Sequence, residues 1–423
     1  MQKVIYSPFV PDGSVNIPPS KSDVHRAIIC AALAKGVSKI SPVALSNDIK
    51  ATIECIKALG ARAEIDGDVL TVDSTDMFNC SDVTLDCGES GSTLRFFIPV
   101  AACGGVNAKF IGHGQLPNRP IGIFTKSLPE KGVECKTEGG LPLQISGTLQ
   151  SGVFEIPGNV SSQFITGLLF VLPLLDGDSK IVLTSPIESV GYINMTIYTM
   201  SKFGVSVKPT DYGWYIKGNQ SYTPCSYTTD GDWSQAAFFM VAGAINGCAT
   251  VNGVFPNSNQ GDKKIADILK QFGAVVEQQE SSVTVKSAPM KAITIDASQI
   301  PDIVPILSVC ACFAQGTTRI INAGRLRIKE CDRLKASANL INNLGGNAKE
   351  LEDGLEITGV GQLRGGSVDG CNDHRMVMSA AVCAAGLEGK IECSDAFSIN
   401  KSYPDFFEDY KKIGGMPSVI DIR

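Results

Sequence analysis

The sequence is poor in histidine, in charged residues and in closely spaced cysteines. Its 423 residues include three histidines, and Asp, Glu, Lys and Arg together make up 19% of the chain, below the usual quarter. None of the 14 cysteines forms a CxxC pair, the spacing on which zinc and dithiol redox motifs depend. We therefore expect no metal site, and thiols that stay reduced, as in the cytoplasm.

Long apolar runs and an excess of basic residues are also absent. The longest apolar stretch, 164–175, covers 12 residues, whereas a membrane helix needs about 20. The N-terminus shows no basic segment followed by an apolar one, so we expect no secretory signal. A net charge of −6 offers nucleic acid no general attraction. These absences predict a cytoplasmic protein that binds neither membranes nor nucleic acid.

Glycine recurs at regular intervals where amphipathic segments end and short alternating segments begin. Glycine is favoured where a helix turns through a left-handed residue into a strand. One series, spaced 69–72 residues apart, is Gly60, Gly132, Gly204, Gly273, Gly345 and Gly414. A second series, spaced 69–73 residues apart, ends more apolar segments at Gly36, Gly105, Gly177, Gly247, Gly316 and Gly389. Both series indicate six internal repeats of about 70 residues.

The two series differ in polarity, which predicts where their helices lie. Helices that are apolar on all sides are buried, and helices with one polar face lie near the surface. We expect three repeats in each of two globules, with helices inside and sheets outside. The polar stretch 222–230 separates the third repeat from the fourth, so we place the boundary there.

The more apolar helices begin with polar residues, several of which are cationic. Ser and Asp at such positions cap helix N-termini, but cations there oppose the helix dipole. Free backbone N–H groups together with Lys or Arg form a pocket for phosphate or carboxylate. Lys329 and Arg333 would repel each other on one helix face unless an anion lay between them. The recurrence of these cations predicts one shared anionic site.

Seven segments resemble the 5-enolpyruvylshikimate-3-phosphate (EPSP) synthase family. They are PSKSDVHRA (19–27), ESGSTLR (89–95), NRPIG (118–122), SSQFITGLL (161–169), RIKECDRL (327–334), NDHRM (372–376) and SYPDFF (402–407). The resemblance extends from about residue 10 to 410 and implies an α/β fold, a two-domain inverse α/β barrel. It is built from six βαβαββ repeats, with buried helices and sheets outside. The implied domains are 19–226, and 1–18 together with 227–423.

The resemblance also implies a reaction. The carboxyvinyl group of phosphoenolpyruvate passes to the 5-hydroxyl of shikimate 3-phosphate, and phosphate is released, a step toward chorismate and the aromatic amino acids. The reaction uses no metal and no cofactor, and the expected partners are these two substrates, bound by a monomer. Both substrates carry phosphate and carboxylate groups, which arginine binds through two oxygens at once.

The family's functional residues correspond to residues of this chain, and the resemblance implies their roles. Shikimate 3-phosphate would contact Lys21, Ser22, Arg26, Ser161, Ser162, Gln163, Ser189, Tyr192, Asp302 and Lys329. Phosphoenolpyruvate would contact Lys21, Gly91, Arg119, Gln163, Arg333, Arg375 and Lys401. Asp302 resembles the base for the 5-hydroxyl, Glu330 resembles its acid–base partner at the methylene, and Lys21 lies near the reacting groups. The alternative for Asp302 is an N-cap on a helix beginning near Ile303.

Some residues depart from the family's commonest pattern, and the sequence leaves two alternative functions open. Glu89, Phe96 and Arg325 are unusual at their positions, which bears on the glyphosate sensitivity that the resemblance implies. A sister transferase that acts on UDP-N-acetylglucosamine uses a Cys in the loop corresponding to 112–120, where this chain has none. A repeat scaffold that only binds phosphorylated metabolites would need neither Asp302 nor Glu330.

Overall fold

Short strands alternate with helices along the whole chain. The computed structural model describes residues 2–421, which contain 24 strands of three to five residues and 12 α-helices. The strands are β1 (Gln2–Tyr6), β2 (Asp12–Asn16), β3 (Val37–Ser41), β4 (Arg62–Asp66), β5 (Val69–Asp73), β6 (Asp82–Asp86), β7 (Asn107–Ile111), β8 (Val133–Lys136), β9 (Leu143–Gly147), β10 (Val153–Ile156), β11 (Ser179–Leu183), β12 (Lys208–Thr210), β13 (Gly213–Ile216), β14 (Ser226–Thr228), β15 (Cys248–Asn252), β16 (Val275–Gln278), β17 (Ser282–Lys286), β18 (Thr294–Asp296), β19 (Thr317–Ile321), β20 (Asn347–Leu351), β21 (Gly354–Thr358), β22 (Gly366–Val368), β23 (Ile391–Ser394) and β24 (Pro417–Asp421).

Each glycine of the first series lies within two residues of the end of an α-helix or 3-10 helix, and each glycine of the second series lies two to five residues beyond one. The α-helices are α1 (Lys21–Ala32), α2 (Asn47–Ala58), α3 (Gly91–Cys103), α4 (Gly122–Ser127), α5 (Ser162–Val171), α6 (Val190–Lys202), α7 (Trp233–Ile245), α8 (Ile265–Phe272), α9 (Val304–Ala311), α10 (Arg333–Asn343), α11 (His374–Cys383) and α12 (Phe406–Lys412). All twelve glycines of the two series have a positive φ, the conformation that lets a chain leave a helix. The predicted turns are therefore confirmed. Among the described helices, none is both long enough and apolar enough to cross a membrane.

The strands form six four-stranded sheets of one design. The spatial orders are β14-β3-β5-β4, β6-β7-β9-β8, β10-β11-β13-β12, β2-β15-β17-β16, β18-β19-β21-β20 and β22-β23-β1-β24. In each sheet the first two strands are parallel and the other two pairings are antiparallel. A parallel pair needs a crossover connection, and a helix supplies it in most of these repeats.

The chain divides into two units, and strands from remote parts of the sequence complete them. The N-terminal unit is Pro19–Thr229, and the C-terminal unit is Met1–Pro18 with Asp230–Arg423. Strand β2 pairs with β15 of the C-terminal unit, although it directly precedes α1 in the chain. Strand β14 pairs with β3 of the N-terminal unit. The sequence-based boundary after residue 226 therefore lies inside β14.

Each unit has its own apolar core, centred on three almost completely buried helices. They are α1, α3 and α5 in the N-terminal unit, and α7, α9 and α11 in the C-terminal unit. The other helices bury one face only, as α2 and α8 do. The predicted α/β fold, with the more apolar helices buried, is confirmed.

Candidate active site

In the N-terminal unit, Arg26 joins the starts of α1 and α6. Its guanidinium donates to Thr196 Oγ1 at 2.8 Å, to the Tyr192 carbonyl at 3.0 Å and to the Ser22 carbonyl at 2.5 Å. It also lies 5.5 Å from the centre of the Phe96 ring. Burial lowers the pKa of Arg26 to about 10, so the group is still charged at neutral pH. Its hydrogen bonds all end on neutral oxygens.

Gln163 lies in a chain of hydrogen bonds that joins α3 to α5. Its side-chain oxygen accepts from Arg95 Nη1 at 2.6 Å, and its nitrogen donates to Ser92 Oγ at 2.9 Å. Arg95 Nη2 donates to the Pro120 carbonyl at 3.0 Å. The orientation of the Gln163 amide is thus set by both neighbours.

Gly91, the first residue of α3, lies directly against Arg119. A Cβ at Gly91 would be 2.7 Å from Arg119 Nη1 and 2.9 Å from Nη2. Only a residue without a side chain allows this approach without a shift of the guanidinium. The structure thus places two of the residues expected to bind phosphoenolpyruvate side by side.

The remaining candidates of this unit lie at helix starts. Lys21 begins α1 and pairs with Asp48, a residue that sequence reasoning missed, at 2.8 Å. Ser161 caps α5 by accepting from the Gln163 backbone N–H at 3.3 Å, and Ser162 is the first residue of that helix. Ser189 precedes α6 in a left-handed conformation with φ of 53°. We call the following residues the N-terminal cluster: Lys21, Ser22, Arg26, Gly91, Arg119, Ser161, Ser162, Gln163, Ser189 and Tyr192.

In the C-terminal unit, Arg333 is the centre of an ionic network. Its guanidinium is 2.7 Å from Asp373 Oδ2, 2.7 Å from Glu330 Oε2 and 3.2 Å from Asp302 Oδ1. Burial disfavours its charge, but the three carboxylates outweigh burial and raise the pKa of Arg333 well above its ordinary value. Asp373 also caps α11, so one buried carboxylate serves both a helix and a cation.

Asp302 lies among cations. It belongs to the 3-10 helix Pro301–Ile303, and Ile303 occupies the N-cap position of α9. The alternative in which Asp302 is that N-cap is therefore wrong. Its Oδ1 is 3.4 Å from Lys329 Nζ and 3.2 Å from Arg333 Nη1, and its Oδ2 is 3.4 Å from Arg375 Nη2.

The charges around Asp302 decide its protonation. Burial opposes ionisation, yet the fields of Lys329, Arg375 and Arg333 hold the pKa of Asp302 well below its ordinary value. The expectation that Lys329 and Arg333 share a helix face is wrong, because α10 begins at Arg333. An anion does lie between them, and it is Asp302 of the same chain.

Lys401 contacts the turn that precedes α11. Its Nζ donates to the Asn372 carbonyl at 2.5 Å, and the side chain is almost completely buried. Lys401 ends the 3-10 helix Ala396–Lys401, and α12 begins at Phe406. We call Asp302, Lys329, Glu330, Arg333, Arg375 and Lys401 the C-terminal cluster.

Comparison with known proteins identifies the family to which the chain belongs. Residues 10–410 match the family model of EPSP synthase (3-phosphoshikimate 1-carboxyvinyltransferase). The chain belongs to the EPSP synthase family. It is 44% identical over 427 residues to the 3-phosphoshikimate 1-carboxyvinyltransferase of Clostridium novyi, covering 98% of each protein. It is 46% identical over 420 residues to that of Clostridium perfringens, covering 98% of this chain and 99% of the relative.

Solved structures share the fold of this EPSP synthase family member. An EPSP synthase of Acinetobacter baumannii superposes with a TM-score of 0.83 at 24% identity, over the full length of both chains. The enolpyruvyl transferase NikO of Streptomyces tendae gives a TM-score of 0.80 at 15% identity, over 100% of this chain and 99% of the other. At these identities the likeness supports the fold alone.

Three side chains of this EPSP synthase family member were not assigned a role from the sequence. Arg95, which is 2% exposed, orients Gln163, and Asp373 holds Arg333. His25 Nδ1 lies 2.7 Å from Thr52 Oγ1, and burial, followed by the charges of Lys21 and Arg26, holds its pKa well below the ordinary value. The available signal was a charged or titratable residue in the first turns of an apolar helix, but its partners are remote in sequence.

Proposed function

We infer that the chain transfers the enolpyruvyl group of phosphoenolpyruvate to the 5-hydroxyl of shikimate 3-phosphate and releases phosphate. This is the reaction of 3-phosphoshikimate 1-carboxyvinyltransferase, a step of aromatic amino acid biosynthesis. The match to that family over residues 10–410 carries the conclusion. The chemistry of the two clusters supports the assignment of roles that follows.

We assign shikimate 3-phosphate mainly to the N-terminal cluster. The hydrogen bonds of Arg26 end on neutral oxygens, and burial lowers its pKa more than the nearby Asp23 carboxylate raises it, so its charge is available to an anion. The starts of α1, α5 and α6 add backbone N–H groups, which favour phosphate and carboxylate oxygens. Ser22, Ser161, Ser162, Ser189, Tyr192, Gln163 and Lys21 complete the proposed contacts, and Asp302 and Lys329 contribute from the C-terminal cluster.

We assign phosphoenolpyruvate to arginines that present planar forks to its carboxylate and phosphate. Arg119, whose guanidinium lies directly against Gly91, belongs to the N-terminal cluster. Arg333, Arg375 and Lys401 belong to the C-terminal cluster. Lys21 and Gln163 are proposed to contact both substrates.

Asp302 is proposed as the base that accepts the proton of the 5-hydroxyl. In the free protein its low pKa makes it ionised but weakly basic. Anionic substrates that bind Lys329, Arg333 and Arg375 cancel part of the field that lowers this pKa, so Asp302 becomes a stronger base when the site is filled. Glu330, 2.7 Å from Arg333, is proposed to exchange the proton at the methylene carbon.

Phosphate release tests this function. Purified protein is mixed with phosphoenolpyruvate and either shikimate 3-phosphate or UDP-N-acetylglucosamine, and free phosphate is measured over time. We expect phosphate to be released when the acceptor is shikimate 3-phosphate and not when it is UDP-N-acetylglucosamine. Release with the sugar nucleotide would favour the sister transferase, and binding of shikimate 3-phosphate without release would favour a non-catalytic scaffold.

We also propose that the enzyme acts in the cytoplasm as a monomer. All 14 cysteines are free thiols in the described structure, which suits a reducing compartment, and residues of one chain supply every contact described above. Light scattering on the eluting protein tests the monomer. A mass near twice 44.8 kDa would contradict it.

A further inference from the structure

A chain of hydrogen bonds joins helices α1, α2 and α3 beside the N-terminal cluster. His25 Nδ1 lies 2.7 Å from Thr52 Oγ1, which lies 2.8 Å from Thr93 Oγ1. Thr93 Oγ1 donates to Ser90 Oγ at 2.8 Å, and the Thr93 backbone N–H donates to the same oxygen at 3.1 Å. The four side chains belong to residues that are at most 1% exposed, so water does not compete for these hydrogen bonds.

The hydroxyl protons fix the direction of this chain. A threonine hydroxyl has one proton to donate, and that of Thr93 is directed at Ser90. In the contact between Thr52 and Thr93, the donor is therefore Thr52. The proton of Thr52 is then also in use, so His25 must donate to Thr52. Nδ1 of His25 therefore carries a proton.

The other ring nitrogen of His25 indicates that the ring is neutral. Nε2 is buried and has no hydrogen-bond partner among the described residues. A neutral ring with its proton on Nδ1 has a bare nitrogen at this position, whereas the charged ring would bury an N–H group without an acceptor. Burial, followed by the charges of Lys21 and Arg26, also disfavours the charged ring.

The chain of hydrogen bonds ends at the residue before Gly91. Ser90 is the N-cap of α3, and Gly91 lies directly against the guanidinium of Arg119. Both Gly91 and Arg119 are proposed contacts of phosphoenolpyruvate. A displacement of the start of α3 therefore changes the site proposed for the donor.

The first residue of the chain lies on the helix that carries proposed acceptor contacts. His25 follows Lys21 by four residues on α1, and Thr52 follows Asp48 by four residues on α2. The hydrogen bond of His25 with Thr52 is thus one turn from the ion pair of Lys21 with Asp48. Arg26 is held separately by its hydrogen bonds to α6. Loss of the chain should therefore displace the start of α3 more than that of α1.

We propose that His25, with its proton on Nδ1, is a positioning residue for the phosphoenolpyruvate site. It acts through Thr52 and Thr93 to fix Ser90 and the start of α3. The effect on phosphoenolpyruvate rests on the proposed role of Gly91, whereas the position of the proton on His25 does not.

The position of the proton is measured on the unaltered protein. The three histidines are labelled with ¹⁵N, and correlations between ring nitrogens and carbon-bound ring protons show which nitrogen is protonated at neutral pH. His25→Asn identifies the signals of His25 by their disappearance. We expect the proton on Nδ1. A proton on Nε2, or on both nitrogens, would overturn the proposal.

His25→Asn and His25→Leu form a matched pair, because asparagine and leucine have nearly the same size and shape. The asparagine amide offers an N–H group near the position of Nδ1, whereas leucine has no donor. Because a misplacement of about 1 Å costs up to about 10²-fold, we expect His25→Leu to raise the KM for phosphoenolpyruvate by about tenfold and His25→Asn by at most about twofold. The KM for shikimate 3-phosphate should stay close to that of the unaltered protein in both variants.

Thr52 provides an independent test of the same chain. Thr52→Val removes the hydroxyl and should act like His25→Leu, and Thr52→Ser, which keeps the hydroxyl, should restore the KM. The control is Thr318→Val in strand β19, where a buried hydroxyl has no partner among the described residues. It should leave the KM unchanged.

The KM separates positioning from stability. A variant that is only less stable has less folded enzyme, which lowers the rate at saturation and leaves the KM as it was. Equal KM values for His25→Leu and His25→Asn, or an unchanged KM in Thr52→Val, would overturn the proposal. Absence of phosphate release by the unaltered protein would contradict the proposed function instead.

Discussion

Arg26, in the second turn of α1, and Arg333, the first residue of α10, are both buried arginines, yet their environments differ in kind. Arg26 donates to a hydroxyl and two backbone carbonyls, and burial lowers its pKa to about 10. Arg333 contacts three carboxylates, which raise its pKa well above the ordinary value although it is equally buried. Burial therefore decides the pKa of the arginine in the N-terminal unit, whereas carboxylates decide that of the arginine in the C-terminal unit.

This difference affects how each cluster interacts with an anionic ligand. An arginine with neutral partners keeps its field for an incoming anion, which suits binding. An arginine neutralised by carboxylates of its own chain offers less attraction, but an anion that binds there shifts the balance around Asp302. We therefore propose that the N-terminal cluster binds the acceptor and that the C-terminal cluster couples binding of the donor to the basicity of Asp302.

The largest effect is expected from Asp302→Asn, which removes the negative charge that faces Lys329, Arg333 and Arg375 in the C-terminal cluster. The amide keeps the shape but cannot accept a proton, so we expect kcat to fall by about 10²–10⁴-fold. Binding of shikimate 3-phosphate should stay within about tenfold, or about 1.4 kcal/mol. Steady-state rates and titration calorimetry measure the two quantities.

A matched control for this substitution is Asp267→Asn. Asp267 lies on α8 with its side chain 71% exposed, and its replacement should leave both quantities unchanged. If Asp302→Asn kept most of its kcat, the base would lie elsewhere.

A second experiment compares how much each of the two arginines contributes to the stability of its unit. Arg333→Gln leaves Asp373 and Glu330 without their cation, which should destabilise the C-terminal unit by about 3–5 kcal/mol. Arg26→Gln loses hydrogen bonds to neutral groups and should cost the N-terminal unit about 1–3 kcal/mol. Equal losses would contradict the distinction between the clusters.

The chain provides a separate reporter for each unit. Its two tryptophans are Trp214 in strand β13 and Trp233 in helix α7. Urea unfolding of Arg333→Gln is followed by fluorescence in a Trp214→Phe background, and that of Arg26→Gln in a Trp233→Phe background. Each variant is compared with its own background, so the cost of the tryptophan substitution cancels.

A smaller effect is expected from Gly91→Ala, which tests the geometry of the N-terminal cluster. The added methyl meets the end of the flexible Arg119 side chain, so Arg119 shifts while the fold is little affected. We expect a steric penalty of about 1–3 kcal/mol, which raises the inhibition constant of glyphosate by about one to two orders of magnitude. The KM for phosphoenolpyruvate should rise less, because the inhibitor is the longer ligand.

Gly122→Ala is the control for this substitution. No heavy atom lies within 4 Å of a Cβ built there, and Gly122 is the first residue of the nearby helix α4. Inhibition and KM should match the unaltered protein. Equal inhibition of Gly91→Ala and the unaltered protein would show that Gly91 does not influence the donor pocket.

The smallest effect concerns pH and His25. The pKa of His25 is lower in the folded protein than in the unfolded chain, so the unfolded chain binds the proton more readily. Stability of the N-terminal unit is therefore lost as pH falls below about 6.5, by up to about 1.4 kcal/mol per pH unit. His25→Asn, which retains a partner for Thr52, should remove this contribution.

The pH dependence is measured as the difference between the two proteins. Urea midpoints of the Trp214 signal are compared between pH 7 and pH 5 in the Trp233→Phe background. His113 acts in the opposite direction, because its hydrogen bond with Asp86 raises its pKa, but it is present in both proteins and cancels. Parallel pH profiles would show that His25 does not titrate in this way.

Much of the fold was predictable because the features that decide it involve residues close together in the sequence. The glycines that end the helices act within one turn, and the apolar content of each helix reflects its burial. The capping role of Ser161 was visible for the same reason. The alternative of an N-cap failed at Asp302, where neighbours remote in sequence decide: its carboxylate faces Lys329, Arg333 and Arg375 instead of capping α9.

The sequence by itself determined the six repeats, the burial of one helix series and membership of the EPSP synthase family, since periodicity, turn chemistry and motifs are local properties. Only the tertiary structure decided that β14 completes a sheet of the N-terminal unit, and that Arg95 orients Gln163. It alone surrounded Arg333 with carboxylates. Such contacts depend on strand pairing and helix packing between segments far apart in the chain, about which local composition carries no information.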